Sequence, residues 1–308
     1  MALIRRWIRN NSVKIGIAIF ILTPIVNIVF DIPHLWGHIP LGWFITVLVF
    51  IVLNLHLFPI YWTKLWTRIK YGSLENYVCK GDYALPFTDK WCVFEGGFTK
   101  ELSADWHELI LRYAYFFAVV DGNGKGYAED DSMLENYYSY GKNVLAVSDG
   151  VVVKVHNKYT DALFDKADEA SNHTGTAALL GNHIVIRHQN EYTCVGNLML
   201  NSATVKVGDR VKQGEVIAKC GNSGYMAESP CLYFLLQSNK RFNLSTSLPI
   251  AFSNITAEDS PAYAMAYKNE GVQRPSTKGN KRVTGKKTFI GRGLDVENST
   301  RSCAAQTE

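Results

Sequence analysis

The stretch VKVGDRVKQGEVIAKCGNSG, residues 205–224, decides the fold. Short runs of β-branched residues alternate there with glycine, a pattern of tight hairpins and not of helix. Gly208, Gly214 and Gly221 fall where the chain must reverse, and Gly150 repeats the motif upstream. All four are expected at turns that need positive φ, which costs glycine nothing.

Outward from this hairpin the same punctuation recurs in WCVFEGG (91–97), VLAVSDGVVVKV (144–155), HIVIRH (183–188), EYTCVGNL (191–198) and CLYFLLQ (231–237). Turn signals at this spacing predict an all-β antiparallel sandwich over residues 81–252. Residues 157–181 break the rhythm and read as a long, partly helical insertion. His183 and His188 sit an odd number of positions apart, which puts them on opposite sides of a strand as surface residues. Beyond residue 252 the chain is rich in Lys and Arg and poor in large apolar residues, so 253–308 is expected to be a disordered basic tail.

The N-terminal region differs. Residues 15–30 and 39–62 carry no charge. A bilayer core needs about 20 apolar helical residues, so spans of about 14–32 and 41–62 predict a two-helix transmembrane hairpin over 1–62. A juxtamembrane connector over 63–80 would follow. Arg5, Arg6, Arg9 and Lys14 precede the first span, and Lys64, Arg68 and Lys70 follow the second. The positive-inside rule then makes the protein multi-pass with a cytosolic β domain; a single span would make it extracytoplasmic. The lipid bilayer is the partner this implies. The net charge of +4 gives no reason to expect nucleic acid. Six scattered cysteines without a CxxC pair exclude a cysteine-built zinc site.

Taken in order, LPFTDKWCVFEGG (85–97), RYAYFFAVVDGNGK (112–125), YGKNVLAVSDGVVVKV (140–155), residues 181–224 and PCLYFLLQ (230–237) resemble the M23 (LytM-type, duplicated hybrid motif) zinc peptidases that cut peptidoglycan. The resemblance implies a small β-sandwich (a barrel-sandwich hybrid) with zinc at a groove floor, held by two histidines and an aspartate. Such an ion activates a water and polarises the scissile carbonyl. The family's P-H-L-H-F strand reads Pro230-Cys231-Leu232-Tyr233-Phe234 here, so Tyr233 replaces a metal histidine and Cys231 a catalytic one. Asn197 replaces the histidine of a Y-x-H-L strand. Phe116 falls at the metal aspartate. The first metal histidine maps to Ala104 or Asp105, or to Arg112.

These substitutions imply no zinc, no cofactor and no catalytic residue: Phe116 has no lone pair, and a phenol is a poor ligand at neutral pH. Asp105, Arg112, Phe116, Asn197, Cys231 and Tyr233 are the degenerate groove positions. The expectation is an inactive, membrane-anchored binding or regulatory module of the bacterial cell envelope, taking a peptide, glycan or protein ligand. The alternative is an active endopeptidase with a relocated site at Asp105, His107 and Cys231. Two weaker signals, a lipoyl-like Lys166 and a calcium-like loop at 121–126, are read as a solvent lysine and a glycine-rich turn.

Overall fold

The computed structural model of the chain describes residues 34–35, 39–40, 44–45, 47–48, 51, 58–163, 179–224, 229–269 and 287–299. The chain divides into two compact units, residues 1–66 and 67–308. In the first, β1 (His34–Leu35) pairs antiparallel with β2 (Ile39–Pro40), within the segment expected to be the loop between two spans. Residues 44–45, 47–48 and 51 are helical. Helix α1 covers Phe58–Tyr71.

These observations correct the membrane expectation. No helix among the described residues is long and apolar enough to cross a membrane. The proposed span at 14–32 lies outside the described residues, and the one at 41–62 is described only in part. α1 does not stop at the apolar boundary but runs on through Lys64, Arg68 and Lys70. The two-span hairpin and the multi-pass placement fall with this finding, and the charge-based siting of the β domain loses its premise.

The second unit is β-rich. Its strands are β3 (Trp91–Glu95), β4 (Tyr115–Ala118), β5 (Asn143–Leu145), β6 (Gly150–His156), β7 (Asn182–His188), β8 (Glu191–Leu198), β9 (Arg210–Val211) and β10 (Val216–Lys219). β11 (Leu232–Gln237), β12 (Ser247–Leu248), β13 (Phe252–Ser253) and β14 (Ile255–Asp259) follow; then come helix α2 (Pro261–Asn269), β15 (Lys287–Thr288) and β16 (Leu294–Asn298). One ten-stranded antiparallel sheet dominates, in the order β14-β16-β3-β4-β11-β8-β7-β6-β9, with β12 also on β11. β5–β10 and β13–β15 form separate two-stranded ribbons. The all-β antiparallel expectation for this region holds, in the form of one large sheet with the β5–β10 ribbon packed on it.

Alternation along the strands divides the core. On one face Tyr115, Phe117, Ile184, Ile186, Val195, Leu232, Phe234 and Leu236 pack with Val144, Ala146, Ile217 and Ala218 of the β5–β10 ribbon. On the other, Val185, Cys194, Tyr233 and Leu235 meet Leu111, Leu180 and Phe242. Gly208 (φ +100°) and Gly214 (φ +84°) hold the expected left-handed turns. Gly150 instead serves close packing: a Cβ there would lie 2.5 Å from Ile186 Cγ2.

The segment expected to be a disordered tail supplies an interior strand. β16 pairs with β14 on one side and β3 on the other. Leu294 and Val296 point inward, which is enough to bury one edge of a polar sequence. Asn298 ties this strand to the loop before β3: its Oδ1 accepts from Leu85 N at 3.0 Å and its Nδ2 donates to Phe87 O at 2.6 Å. Arg292, 9% exposed at its side chain, donates to Glu95 at 2.7 Å. The insertion at 157–181 shows no helix up to residue 163 and lies outside the described residues over 164–178.

Glu191, at the start of β8, is buried and organises the segment leading into the domain. Its carboxylate accepts hydrogen bonds from the Tyr77 and Tyr83 hydroxyls and from the backbone N–H groups of Lys80 (2.9 Å) and Gly81 (3.3 Å). Truncation strands several buried donors at once. Glu191→Ala is therefore expected to lower stability by about 3 kcal/mol, read as a fall in the urea midpoint at pH 7.5.

His183 and His188 are buried rather than exposed. His188 is held by Asp149 O and Thr193 Oγ1, each at 2.7 Å. His183 Nδ1 bonds Gly181 O at 2.7 Å, while its Nε2 has no partner among the described residues. Burial pushes the His183 imidazole down to about 3. The folded state thus keeps His183 neutral where the unfolded chain protonates it near 6.5. Stability is full above about pH 7 and falls as pH drops below that value, by about 2 kcal/mol at pH 5 from this residue. Urea midpoints at pH 7.5 and 5 should show the loss, and His183→Gln should flatten it.

Candidate functional site

Three neighbouring strands assemble the site. Tyr233 on β11 lies directly opposite Phe116 on β4 and Gly196 on β8. The Phe116 and Tyr233 rings meet edge to face, centroids 4.5 Å apart, a favourable arrangement of the ring quadrupoles. Next to them Asn197 adopts φ +60°, which turns its side chain out of the strand's regular alternation. Its Nδ2 donates to Cys231 O at 2.8 Å and approaches Cys231 Sγ at 3.6 Å. Its Oδ1 accepts from Gly224 N at 2.8 Å. Phe116, Asn197, Cys231 and Tyr233 thus lie side by side across β4, β11 and β8.

The cluster is neutral and covered. Tyr233 is 2% exposed and its hydroxyl has no hydrogen-bond partner among the described residues. Burial, with the nearby Asp105 carboxylate second, raises its phenol well above the ordinary range. Burial also pushes the Cys231 thiol up to about 12, against a smaller downward pull from the Asn197 amide. Cys231 is a protonated thiol at neutral pH and no nucleophile. Leu180 closes one side: its carbonyl accepts from Asn197 N at 2.6 Å, and a Cβ on Gly196 would lie 2.7 Å from that oxygen. Ile110, Leu111, Leu179 and Phe242 complete the apolar cover.

Asp105 and Arg112 stand at the margin. Asp105 is partly buried, and desolvation followed by the Glu108 charge raises its carboxyl. Arg112 Nε donates to Trp106 O at 2.7 Å, and its guanidinium lies 5.0 Å from the Trp106 ring centroid. It is thereby turned toward its own loop. His107 is exposed. Among the described residues no three His, Cys, Asp or Glu side chains are grouped to hold a metal ion, so Asp105, His107 and Cys231 do not form the relocated trio. The donor set at the cluster, a phenyl ring, a buried phenol, a neutral thiol and an amide, does not fit a zinc ion.

Asn222-Ser223-Gly224 forms a knot of polar contacts beside the cluster. Ser223 Oγ donates to Leu198 O at 2.7 Å and accepts from Asn182 N at 3.0 Å. Asp161 Oδ1 accepts from Asn222 N at 2.6 Å, and its Oδ2 from Leu200 N at 2.8 Å. Asp161 sits in the irregular insertion, where sequence pattern offered no signal for it.

The sequence model of Peptidase family M23 matches residues 135–243. No curated protein matches the chain. Among solved structures, the catalytic domain of a variant of the prophage-encoded M23 protein EnpA from Enterococcus faecalis is 18% identical. It covers 55% of this chain and 95% of its own, with a TM-score of 0.34. A zinc-containing peptidase from Vibrio cholerae is 18% identical over 55% of this chain and 39% of its own, TM-score 0.33. Pseudoalterin, an M23 metalloprotease from the deep sea, is 15% identical over 70% and 99%, TM-score 0.39. The match to Peptidase family M23 thus lies over residues 135–243, about a third of the chain, and the described residues there and elsewhere hold no group of His, Cys, Asp or Glu placed to bind a metal ion.

Proposed function

We propose that this domain is a non-hydrolytic member of its family, acting as a binding or regulatory module for a peptide, glycan or protein ligand. The observation that carries the reading is the Phe116–Tyr233 ring pair. The family resemblance puts a metal aspartate and a metal histidine at these two positions, and here two aromatic rings fill the space between the strands. Water activation requires an open coordination position facing solvent. Tyr233 at 2% and Cys231 at 8% exposure leave no such opening. A ligand therefore docks on the outer surface of the fold and not at the position of the lost ion.

Metal analysis of the purified full chain tests this directly. The expected result is no stoichiometric zinc after incubation with the ion, and no cleavage of muropeptides. One zinc per chain together with chelator-sensitive cleavage would replace the proposal with an active endopeptidase. Tyr233→Phe provides a second check. Removing a buried hydroxyl that has no partner should leave the urea midpoint unchanged or raise stability by up to about 1 kcal/mol. A loss of that size would mean that the hydroxyl has work at the site.

A further inference from the structure

A second feature lies on the same sheet face as the Phe116–Tyr233 cluster but toward the opposite end of the strands. Register places Gln237, Tyr192, Arg187, Val151 and Arg210 in one row across β11, β8, β7, β6 and β9. Residues directly opposite one another in antiparallel strands share a face, so Arg187 and Arg210 stand on either side of Val151. Both are exposed. At this end of the row a recess of about 390 Å³ opens, with Gly150, Val151 and Val211 in its floor and the two arginines at its walls. Gly150 lets β6 lie close against β7 beneath it, since a Cβ there would come within 2.8 Å of Arg187 O and His188 Nδ1.

The charge at the recess is one-sided. Asp149 is its one acidic residue, and that carboxylate is held by Lys212 Nζ at 2.8 Å and Gln213 N at 2.9 Å. Glu191, near His188, is enclosed by Tyr77 and Tyr83. Asp209 beside Arg210 accepts from Lys206 N at 2.9 Å. Arg187 and Arg210 have no ion-pair partner among the described residues. Two guanidinium forks without a carboxylate, over an apolar floor, are suited to bidentate recognition of oxyanions.

The position of β9 selects the kind of anion. It is the last strand in the sheet order, with β6 its only strand partner among the described residues. An extended chain can add along such an edge, with backbone bonds supplying affinity and alternate side chains reaching one face. Arg187 and Arg210 are two strand spacings apart, roughly 10 Å, which suits separate carboxylates along a peptide better than one compact phosphate. We infer that this recess and edge bind an acidic peptide segment, with Arg187 and Arg210 each taking a carboxylate. The inference names a partner class for the binding module proposed above. The physical site does not depend on that reading: zinc and cleavage assays decide the one, a peptide titration the other.

The test is fluorescence anisotropy of the full chain with a labelled oligoglutamate peptide, beside an oligoglutamine control and competition by inorganic phosphate. Saturable binding of the glutamate peptide alone is expected, weakening as salt is raised. Arg187→Gln and Arg210→Gln should each weaken it about tenfold, as loss of a charge-assisted contact does, and the double variant should abolish it. Lys240→Gln, remote from the recess, should leave it unchanged. Circular dichroism of the double variant checks that it remains folded, as exposed arginines predict. Absence of saturable binding, equal binding by the folded double variant, or displacement by phosphate at the same concentration as by unlabelled peptide would each overturn the assignment.

Discussion

The fold depends on the double pairing of β11. Leu232–Phe234 pair with β4 along one edge, where Leu236 and Gln237 meet β12, and Tyr233–Gln237 pair with β8 along the other; every residue of the strand is buried. This fixes which side chains enter which core. A slip of one residue would exchange Leu232, Phe234 and Leu236 with Tyr233, Leu235 and Gln237. The apolar trio would leave the aromatic core of Trp91, Phe117 and Phe252, and a phenol and an amide would enter it. Correct register has its own cost, because the Gln237 side-chain amide is buried with no partner among the described residues. The strand keeps this register because all its apolar neighbours demand it.

The grouping of Phe116, Asn197, Cys231 and Tyr233 was legible through the family resemblance, whose motifs place these four positions around one site. Periodicity alone would not have found them, because β11 is buried at every position and Asn197 leaves its strand's alternation. Arg112 was different. Its position could be read from spacing, but its attachment to Trp106 depends on how an irregular loop folds back, and no periodicity encodes that. The burial of His183 and His188 was hidden because β7 is enclosed on both faces except at Arg187; alternation of a strand predicts opposite faces without saying that both are covered.

The larger misreadings came from composition. An uncharged run of about 20 residues is the ordinary mark of a membrane span, yet the described helix in that region continues through three basic residues. The polar stretch beyond residue 252 lacks apolar bulk, but β16 needs only Leu294 and Val296 to face inward while Asn298 and Arg292 meet specific partners. Glu191 was missed for a related reason. A single acidic residue at a strand start reads as solvent-facing, and its four donors are brought together from a segment more than a hundred positions earlier.

The insertion of β16 between β3 and β14 also sets the order in which the molecule can be completed. Asp295 stands opposite Cys92, a separation of roughly 200 positions whose closure is slow because long-range pairing comes only after the entropy of a large loop is lost. During synthesis, β3 emerges early and waits with one unsatisfied edge, which is a template for pairing with other chains. The nascent protein is therefore most prone to aggregate in the interval before residues 294–298 leave the ribosome, and factors that shield exposed strands would act in that interval.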